Sequence, residues 1–351
     1  MNRRWLCSDV WMDIFPHFDH AQLGLKLAQI SPRFNALVDK HFDGKSELTI
    51  WRPIKIRKDS VAEMPIAVSL DRAYSEEFPL PDRPLRNKIR FKSLQIKYID
   101  HSVIAFLRAN QKIWDRSGTK LDLYVASSFI MHDQPIWNDF LRQIWPIFAQ
   151  NIRHLSIPFG YFLVYLRRVI SPTILTDLNQ LNSINSNDLC PDGIADDGPN
   201  ATAGQALSKW LHTPAKDGQA KRLRCNNYSN PSNVALVNNF KKKFLNATTS
   251  VRYKILITVH SSTPIGPFEL VNERTNEKLT LIKASKNPWG PAGPWLMKRC
   301  QIGQMVQWED ENWDHLNNVI INLLDVFCSW PLSPPTEEEE KKKRIKATEI
   351  N

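Results

Sequence analysis

The sequence predicts a mixed α+β (mixed α/β) protein, with a helical N-terminal segment, a strand-helix middle and a β-rich C-terminal region. Three observations predict this class. Apolar residues recur at helical spacing between residues 8 and 42, extended and helical patterns alternate from residue 89 to 250, and apolar and polar residues alternate in segments after residue 251. A chain of 351 residues exceeds one compact core, so we expect more than one unit.

The composition describes a globular and moderately basic chain. Hydrophobic residues make up 42% of it, which favours a folded over a disordered protein. The chain has 46 Lys and Arg residues against 36 Asp and Glu residues, a formal net charge of +10. This balance permits contact with nucleic acid or with an acidic protein, but no run of interleaved basic and aromatic residues favours nucleic acid. We therefore expect a protein partner before a nucleic-acid partner.

The cysteines and the N-terminus indicate an intracellular protein. Asp9 and Asp13 interrupt the apolar region that a signal peptide would need, and no apolar run is long enough to span a bilayer. An odd number of cysteines without a CxxC pair disfavours a disulfide framework and a zinc site. The five are Cys7, Cys190, Cys225, Cys300 and Cys328. We expect a location in the cytoplasm, the nucleus or both, without membrane contact.

The N-terminal segment predicts three short helices. Ser8 is the expected N-cap of the first, with Asp9 in the first turn, where a negative charge suits the helix dipole. Asp19 or His20 begins the second helix, and Ser31 caps the third, with proline at its first position. Each helix has an apolar face, formed by Val10, Trp11, Ile14, Phe15 and Phe18, then by Leu23, Leu27 and Ile30, and finally by Phe34, Leu37 and Val38.

These helices carry more apolar surface than three short helices can bury among themselves, and such a surplus marks either a partner surface or a docking face toward the next domain. The residues also resemble the F-box, with Cys7 where that family usually has proline. The resemblance rests on Leu6, Asp9, Val10, Trp11, Ile14, Phe15 and Phe18, followed by Leu23, Leu27, Ile30, Arg33, Phe34 and Leu37.

The resemblance implies a function. An F-box binds a Skp-type adaptor and, through it, a cullin scaffold, so the chain would be the substrate-recognition subunit of an SCF-type E3 ubiquitin ligase. The implied adaptor contacts are Leu6, Val10, Ile14, Phe15, Leu23 and Leu27. The protein target is not identified. The alternative is a basic protein- or nucleic-acid-binding interaction protein without a ligase role, with phosphate contacts from Arg167, Arg168, Lys221 to Arg224 and Lys241 to Lys243.

Between residues 89 and 250, "RFKSLQIKYI", "TKLDLYVAS" and "IRHLSIP" have the pattern of strands, and each is followed by a helical pattern. Five predicted strand leucines are unevenly spaced: Leu94, Leu121, Leu155, Leu181 and Leu223. The pattern resembles leucine-rich repeats, in which stacked neighbours bury both faces of each unit. An ordinary α/β domain with short crossovers is the alternative interpretation.

The region after residue 251, together with the earlier segment "KWLHTPAKDGQAKRLRC", resembles the C-terminal part of a large F-box family known chiefly from nematode genomes. That resemblance implies no biochemical role for the matching residues. They are Trp210 to Pro214, Phe268, Glu269, Leu270, Asn272, Thr275, Glu277, Leu279, Leu281, Arg299, Cys300 and Trp308. The predicted organisation is an F-box at 5–45, a connector or capping unit at 46–88, a leucine-rich-repeat-like α/β region at 89–250, a β-rich region at 251–332 and a disordered charged tail at 333–351.

The sequence offers little catalytic chemistry. It has no GxSxG elbow, no phosphate-binding GxxxxGK[ST] loop and no HExxH motif. Cys225 and Cys300 would act as nucleophiles only if folding placed a base beside them. We therefore expect a binding protein rather than an enzyme, with no catalytic residue, no metal ligand and no cofactor.

Overall fold

The computed structural model describes residues 7–43, 48–50, 54–58, 65–70, 75–81, 84–85, 89–91, 93–115, 119–124, 141–157, 160–186, 188–192, 194–226, 233–258, 265–283, 295–303 and 317–322. The predicted mixed α+β class is confirmed, because helices and a long mixed sheet occur together in these ranges. The predicted tail at 333–351 lies outside the described residues.

The helices are short and fall mainly between strands. They are α1 (Ser8–Ile14), α2 (Ala28–Ile30), α3 (Pro32–Phe42), α4 (His101–Ala109), α5 (Gln111–Asp115), α6 (Trp145–Ala149), α7 (Gly160–Val169), α8 (Ile174–Asp177), α9 (Ala203–His212) and α10 (Asn233–Leu245). A 3₁₀ turn at Phe15–His17 follows α1, and a π-helical stretch at Gln22–Leu27 runs into α2. The helical pattern expected after the strand "RFKSLQIKYI" corresponds to α4, whose Val103, Phe106 and Leu107 form a buried apolar face.

The strands are β1 (Leu48–Ile50), β2 (Ile54–Lys58), β3 (Pro65–Leu70), β4 (Ser75–Pro79), β5 (Ile89–Phe91), β6 (Ser93–Ile96), β7 (Thr119–Tyr124), β8 (Ile152–Ile157), β9 (Ser183–Ser186), β10 (Lys221–Asn226), β11 (Tyr253–Thr258), β12 (Phe268–Asn272), β13 (Glu277–Lys283), β14 (Trp295–Gln301) and β15 (Asn317–Asn322). In the described ranges, thirteen of them form one sheet in the order β12-β13-β14-β11-β10-β9-β8-β7-β15-β6-β2-β3-β4. Strands β1 and β5 pair separately.

The centre of the large sheet is parallel and follows chain order. Strands β7 to β11 are consecutive parallel neighbours, and helical segments connect β8, β9, β10 and β11. Crossovers of one hand that always step in the same direction place their helices on one face of a sheet. This region therefore has the succession of a strand-helix solenoid, and antiparallel strands extend it at both ends.

One register row of apolar residues joins the central strands. Leu121, Leu155, Ile184 and Leu223 are successive Cα partners from β7 to β10. The prediction that Leu181 is the strand leucine of β9 is wrong. That residue precedes the strand, and its carbonyl accepts a hydrogen bond from Trp210 Nε1 at 3.3 Å. Residues that are unevenly spaced along the chain are therefore aligned as neighbours across the sheet.

Two features of the sheet were not expected. β15, at the C-terminal end of the described chain, lies between β6 and β7 and is parallel to both. Strands β2 to β4 come from the stretch interpreted as a connector or capping unit, and they extend the same sheet beyond β6. Both placements depend on pairing between distant segments, which local patterns do not encode.

Candidate functional site

Local side-chain hydrogen bonds mark the starts of the second and third N-terminal helices. The Asp19 side chain accepts from the Gln22 backbone N–H at 2.7 Å, and Gln22 Oε1 accepts from the Asp19 N–H at 3.2 Å. Ser31 Oγ accepts from the Phe34 N–H at 3.2 Å, with proline at the first helical position. The predicted starts of the second and third helices are confirmed. The predicted start of the first helix is wrong by one residue, because Cys7, and not Ser8, is the N-cap of α1. Cys7 has an extended backbone, and its side chain makes no capping hydrogen bond.

The helices enclose a small core of their own, separate from the core under the sheet. Its buried members are Phe15, Leu23, Ala28, Leu37, Val38 and Phe42. Trp11 packs over this core edge-on against Phe34, with ring centroids 4.8 Å apart. We call residues 8–42 the N-terminal module.

The module is attached to the rest of the chain through its second helical segment. Ala21 and Leu25 are buried in the main core rather than in the small one, and the π-helical stretch contacts β4. The docking interpretation of the apolar surplus therefore holds for one side of the second segment, which packs on the sheet. The partner-surface interpretation stays a prediction.

An apolar stripe remains on the surface of the module. Val10 and Ile14 stand four residues apart on α1, one position before Trp11 and Phe15, which face the small core. Val10 is 38% exposed and Ile14 is half-buried, and neither belongs to the small or the main core. Ile30, the last residue of α2, is 60% exposed. We call Val10, Ile14 and Ile30 the apolar stripe.

The predicted adaptor contacts separate into three groups. Val10 and Ile14 lie in the apolar stripe, while Leu27 is half-buried and packs on the small core. Phe15 and Leu23 are 0% and 1% exposed, so their assignment as direct contacts needs correction: they shape the module from inside. Leu6 lies outside the described residues. Ile30 was not among the predicted contacts, although it ends the apolar series of the second helix, two residues before Pro32, and is exposed.

The C-terminal residues that carry the second resemblance have structural roles. Glu277 and Arg299 are buried at 0% and 1% exposure and pair through Arg299 Nη2 and Glu277 Oε2 at 2.6 Å. Glu277 Oε1 also accepts from the Val251 N–H and from Ser250 Oγ, each at 2.9 Å. The Asn272 amide donates to the carbonyls of Phe244 and Ala247. This group ties β12 and β13 to the end of α10. Trp308 lies outside the described residues.

Several titratable groups near these strands have shifted pKa values. Burial lowers the pKa of His212 to about 4, although its Nδ1 hydrogen-bonds to the Ser208 carbonyl at 2.8 Å. Burial lowers the pKa of Lys221 to about 8, and its Nζ donates to the Trp210 carbonyl. Burial raises the pKa of the Tyr253 hydroxyl. All three groups therefore favour their neutral forms more than in water.

The two cysteines considered as nucleophiles are poorly placed for that role. A hydrogen bond with Cys190, together with burial, raises the pKa of the Cys225 thiol well above its ordinary value. Burial also raises the pKa of the Cys300 thiol. Because the thiolate is the nucleophile, both environments work against nucleophilic catalysis.

The cations considered for phosphate binding are scattered. Arg167 is buried and donates to the carbonyls of Pro172, Ala201 and Gly198, which secures the acidic loop before α9. Lys221 is buried beneath α9, while Lys243 Nζ donates to Ser208 Oγ at 2.7 Å. The predicted set therefore does not form one basic patch.

Within the ranges given above, no group of three or more His, Cys, Asp or Glu side chains is placed to hold a metal ion. His17 is exposed, and His20 packs edge-on against Phe42. None of the helices in the same ranges is long and apolar enough to cross a bilayer.

Comparison with protein-family models, with curated proteins and with solved structures found no match to this chain.

Proposed function

We propose that this chain is the substrate-recognition subunit of an SCF-type ubiquitin ligase, with the N-terminal module binding a Skp-type adaptor. The observation that carries the proposal is the apolar stripe on a module that already has a complete small core. Apolar side chains that belong to neither core gain most from a partner that covers them. The F-box resemblance supplies the identity of that partner.

The rest of the chain suits the role of a target-presenting body. Among the described residues, a long sheet with helices along one face exposes side chains such as Arg224 and Ile282 on its other face, and the module is attached at one end of this sheet through Ala21 and Leu25. In this proposal the adaptor and the cullin scaffold bring a ubiquitin-charged enzyme near a target bound elsewhere on the chain. The ligase would then act by proximity, with the chemistry supplied by its partners.

The test is co-expression of the full chain with a Skp-type adaptor, followed by size-exclusion chromatography at high salt. The informative variant is Val10→Asp/Ile14→Asp, because neither side chain belongs to the small or the main core. We expect the wild type to form a one-to-one complex and the double variant to lose it. A charge beneath an apolar partner surface is strongly disfavoured.

The matched control is Val164→Asp/Ile194→Asp. These residues are also an exposed valine and isoleucine, 51% and 76% exposed, and they lie outside the module. The control introduces the same two charges and should retain the complex. A wild type that stays monomeric beside the adaptor, or a complex that survives Val10→Asp/Ile14→Asp, would refute the proposal.

A further inference from the structure

The sheet face opposite the helices carries two ordered rows of side chains at its β10 to β13 end. On β10, Leu223 and Cys225 are buried and Lys221 reaches Trp210 of α9, so these residues face the helices. Because side chains alternate along a strand, Arg222 and Arg224 point to the opposite face. Their partners on the neighbouring strands define the two rows.

The first row is basic. Arg222, Lys254 and Lys298 are successive Cα partners on β10, β11 and β14, and all three side chains are partly exposed. The row continues through Thr280 on β13 to the exposed Glu269 on β12, so three cations share it with one carboxylate. Like charges directly opposite each other on neighbouring strands lower the stability of a sheet. Three cations at successive partner positions give this row an excess of positive charge, which complements a negatively charged ligand.

The second row is mostly apolar. Leu256, Leu296 and Ile282 are successive partners on β11, β14 and β13, and Arg224 precedes them on β10. The two leucines are half-buried and Ile282 is 44% exposed. The rows are two residues apart along each strand, or about 6.7 Å, and four strands span about 14 Å across the sheet. A basic row and an apolar row thus run side by side.

We propose that these two rows bind an extended acidic segment of a partner protein, in which acidic and apolar side chains alternate. An extended segment that crosses the strands between the rows directs successive side chains to opposite sides. Its carboxylates then meet Arg222, Lys254 and Lys298, and its apolar side chains meet Leu256, Leu296 and Ile282. If the proposed ligase function holds, on which this reading rests, the segment belongs to the target.

The apolar row favours a peptide over nucleic acid. Single-stranded nucleic acid is held by cations together with aromatic side chains on which bases stack. Neither row contains an aromatic residue between β10 and β13. Leucine and isoleucine are instead suited to the aliphatic side chains of a peptide.

The first measurement is fluorescence anisotropy of the full wild-type chain with labelled peptides of about eight residues. The probes are an alternating Glu-Leu peptide, an isomer with all Glu residues before all Leu residues, an alternating Lys-Leu peptide and a thymidine oligonucleotide of similar length. We expect the alternating Glu-Leu peptide to bind at least about fivefold tighter than its isomer, and binding to weaken as salt is added. Equal affinity for the isomer, or tighter binding of the oligonucleotide, would overturn the proposal.

The second measurement compares two variants that change the net charge equally. Arg222→Gln/Lys254→Gln/Lys298→Gln removes the basic row and should weaken binding of the alternating Glu-Leu peptide by about tenfold. Arg168→Gln/Lys209→Gln/Lys242→Gln removes three exposed cations from the helices and should leave the affinity within about twofold. Equal weakening in both variants would show general charge attraction and contradict the assignment. Thermal melts confirm folding, and the wild-type peptide comparison decides the question if the first variant does not fold.

Adaptor binding by the same proteins separates this inference from the proposed function. The basic-row variant should keep its adaptor complex, because its substitutions lie outside the N-terminal module. A wild type that binds the alternating peptide but no adaptor would overturn the ligase role and leave the peptide surface in place. A wild type that binds the adaptor but no acidic peptide would overturn the present inference alone.

Discussion

The N-terminal module leaves apolar side chains at its surface, whereas the strands β11 to β14 bury charged side chains in their interior. Val10 and Ile30 are exposed on the module, while Glu277 and Arg299 are enclosed beside α10. Exposed apolar groups gain free energy when a partner covers them. Buried charges with satisfied hydrogen bonds instead fix one arrangement of the elements around them. The difference fits the proposal that the module binds an adaptor, while the interior of the C-terminal strands fixes the shape of the surface that they present.

The largest expected effect tests the buried pair. Arg299→Leu leaves the Glu277 carboxylate buried without its cation, and removing one partner of a buried pair costs about 3–5 kcal/mol in the free energy of unfolding. Urea unfolding followed by circular dichroism measures this loss. The double variant Glu277→Leu/Arg299→Leu should recover part of the stability, because no charge then remains unpaired. Equal losses in the two variants would show that the ion pair is not what holds these strands.

A somewhat smaller effect concerns His212, whose pKa burial lowers to about 4 from an ordinary 6.5. Between pH 4 and pH 6.5 the unfolded chain binds a proton at His212 more tightly than the folded chain does, so protonation favours unfolding. The stability that the neutral histidine contributes is therefore fully present above pH 6.5. It is lost as the pH falls toward 4, and amounts to about 3 kcal/mol at 1.36 kcal/mol per pH unit.

The variant His212→Phe has no group to titrate at this position. Compared with it, the wild type should lose about 3 kcal/mol more stability between pH 6.5 and pH 4. Urea titrations of both proteins at several pH values give this difference, in which the titration of the acidic residues cancels. Parallel pH profiles would contradict the assignment of a buried, neutral imidazole next to Phe240 and Tyr253.

The smallest effect on stability is expected at the module surface. Ile30→Ser removes a side chain that is 60% exposed, so the free energy of unfolding should change by less than about 0.5 kcal/mol. The same change should weaken the adaptor complex at least about fivefold, since apolar burial would be lost there. Leu245→Ser, at a 49% exposed position that ends α10, is the control and should leave adaptor affinity unchanged. Isothermal titration calorimetry distinguishes the two.

Much of the candidate site follows from short-range patterns, although its division into core and surface does not. Helical spacing predicts that Val10, Ile14, Phe15, Leu23 and Leu27 lie on the apolar faces of two helices. It does not show that Phe15 and Leu23 are enclosed while Ile30 is exposed, because that depends on how the helices pack. The docking of Leu25 on the main core likewise depends on a neighbour that lies far along the chain.

The basic and apolar rows illustrate the same limit. Alternation within "KRLRCN" predicts a strand whose two arginines share a face. Only the registers of β10, β11 and β14 place Arg222 beside Lys254 and Lys298. A shift of one residue in any of these pairings would replace the basic row with a mixed one.

The sequence by itself determined the elements whose causes lie within a few residues. Asp19, Ser31 and Asp100 start helices through side chains that accept backbone N–H groups three positions away. The tertiary structure alone decided that β15 lies between β6 and β7, that Glu277 meets Arg299, and that Ile184 continues the row of Leu155. Those arrangements arise from packing and hydrogen bonds between segments that are far apart in the sequence. The free energy of such contacts depends on both segments, so the pattern within one segment does not predict them.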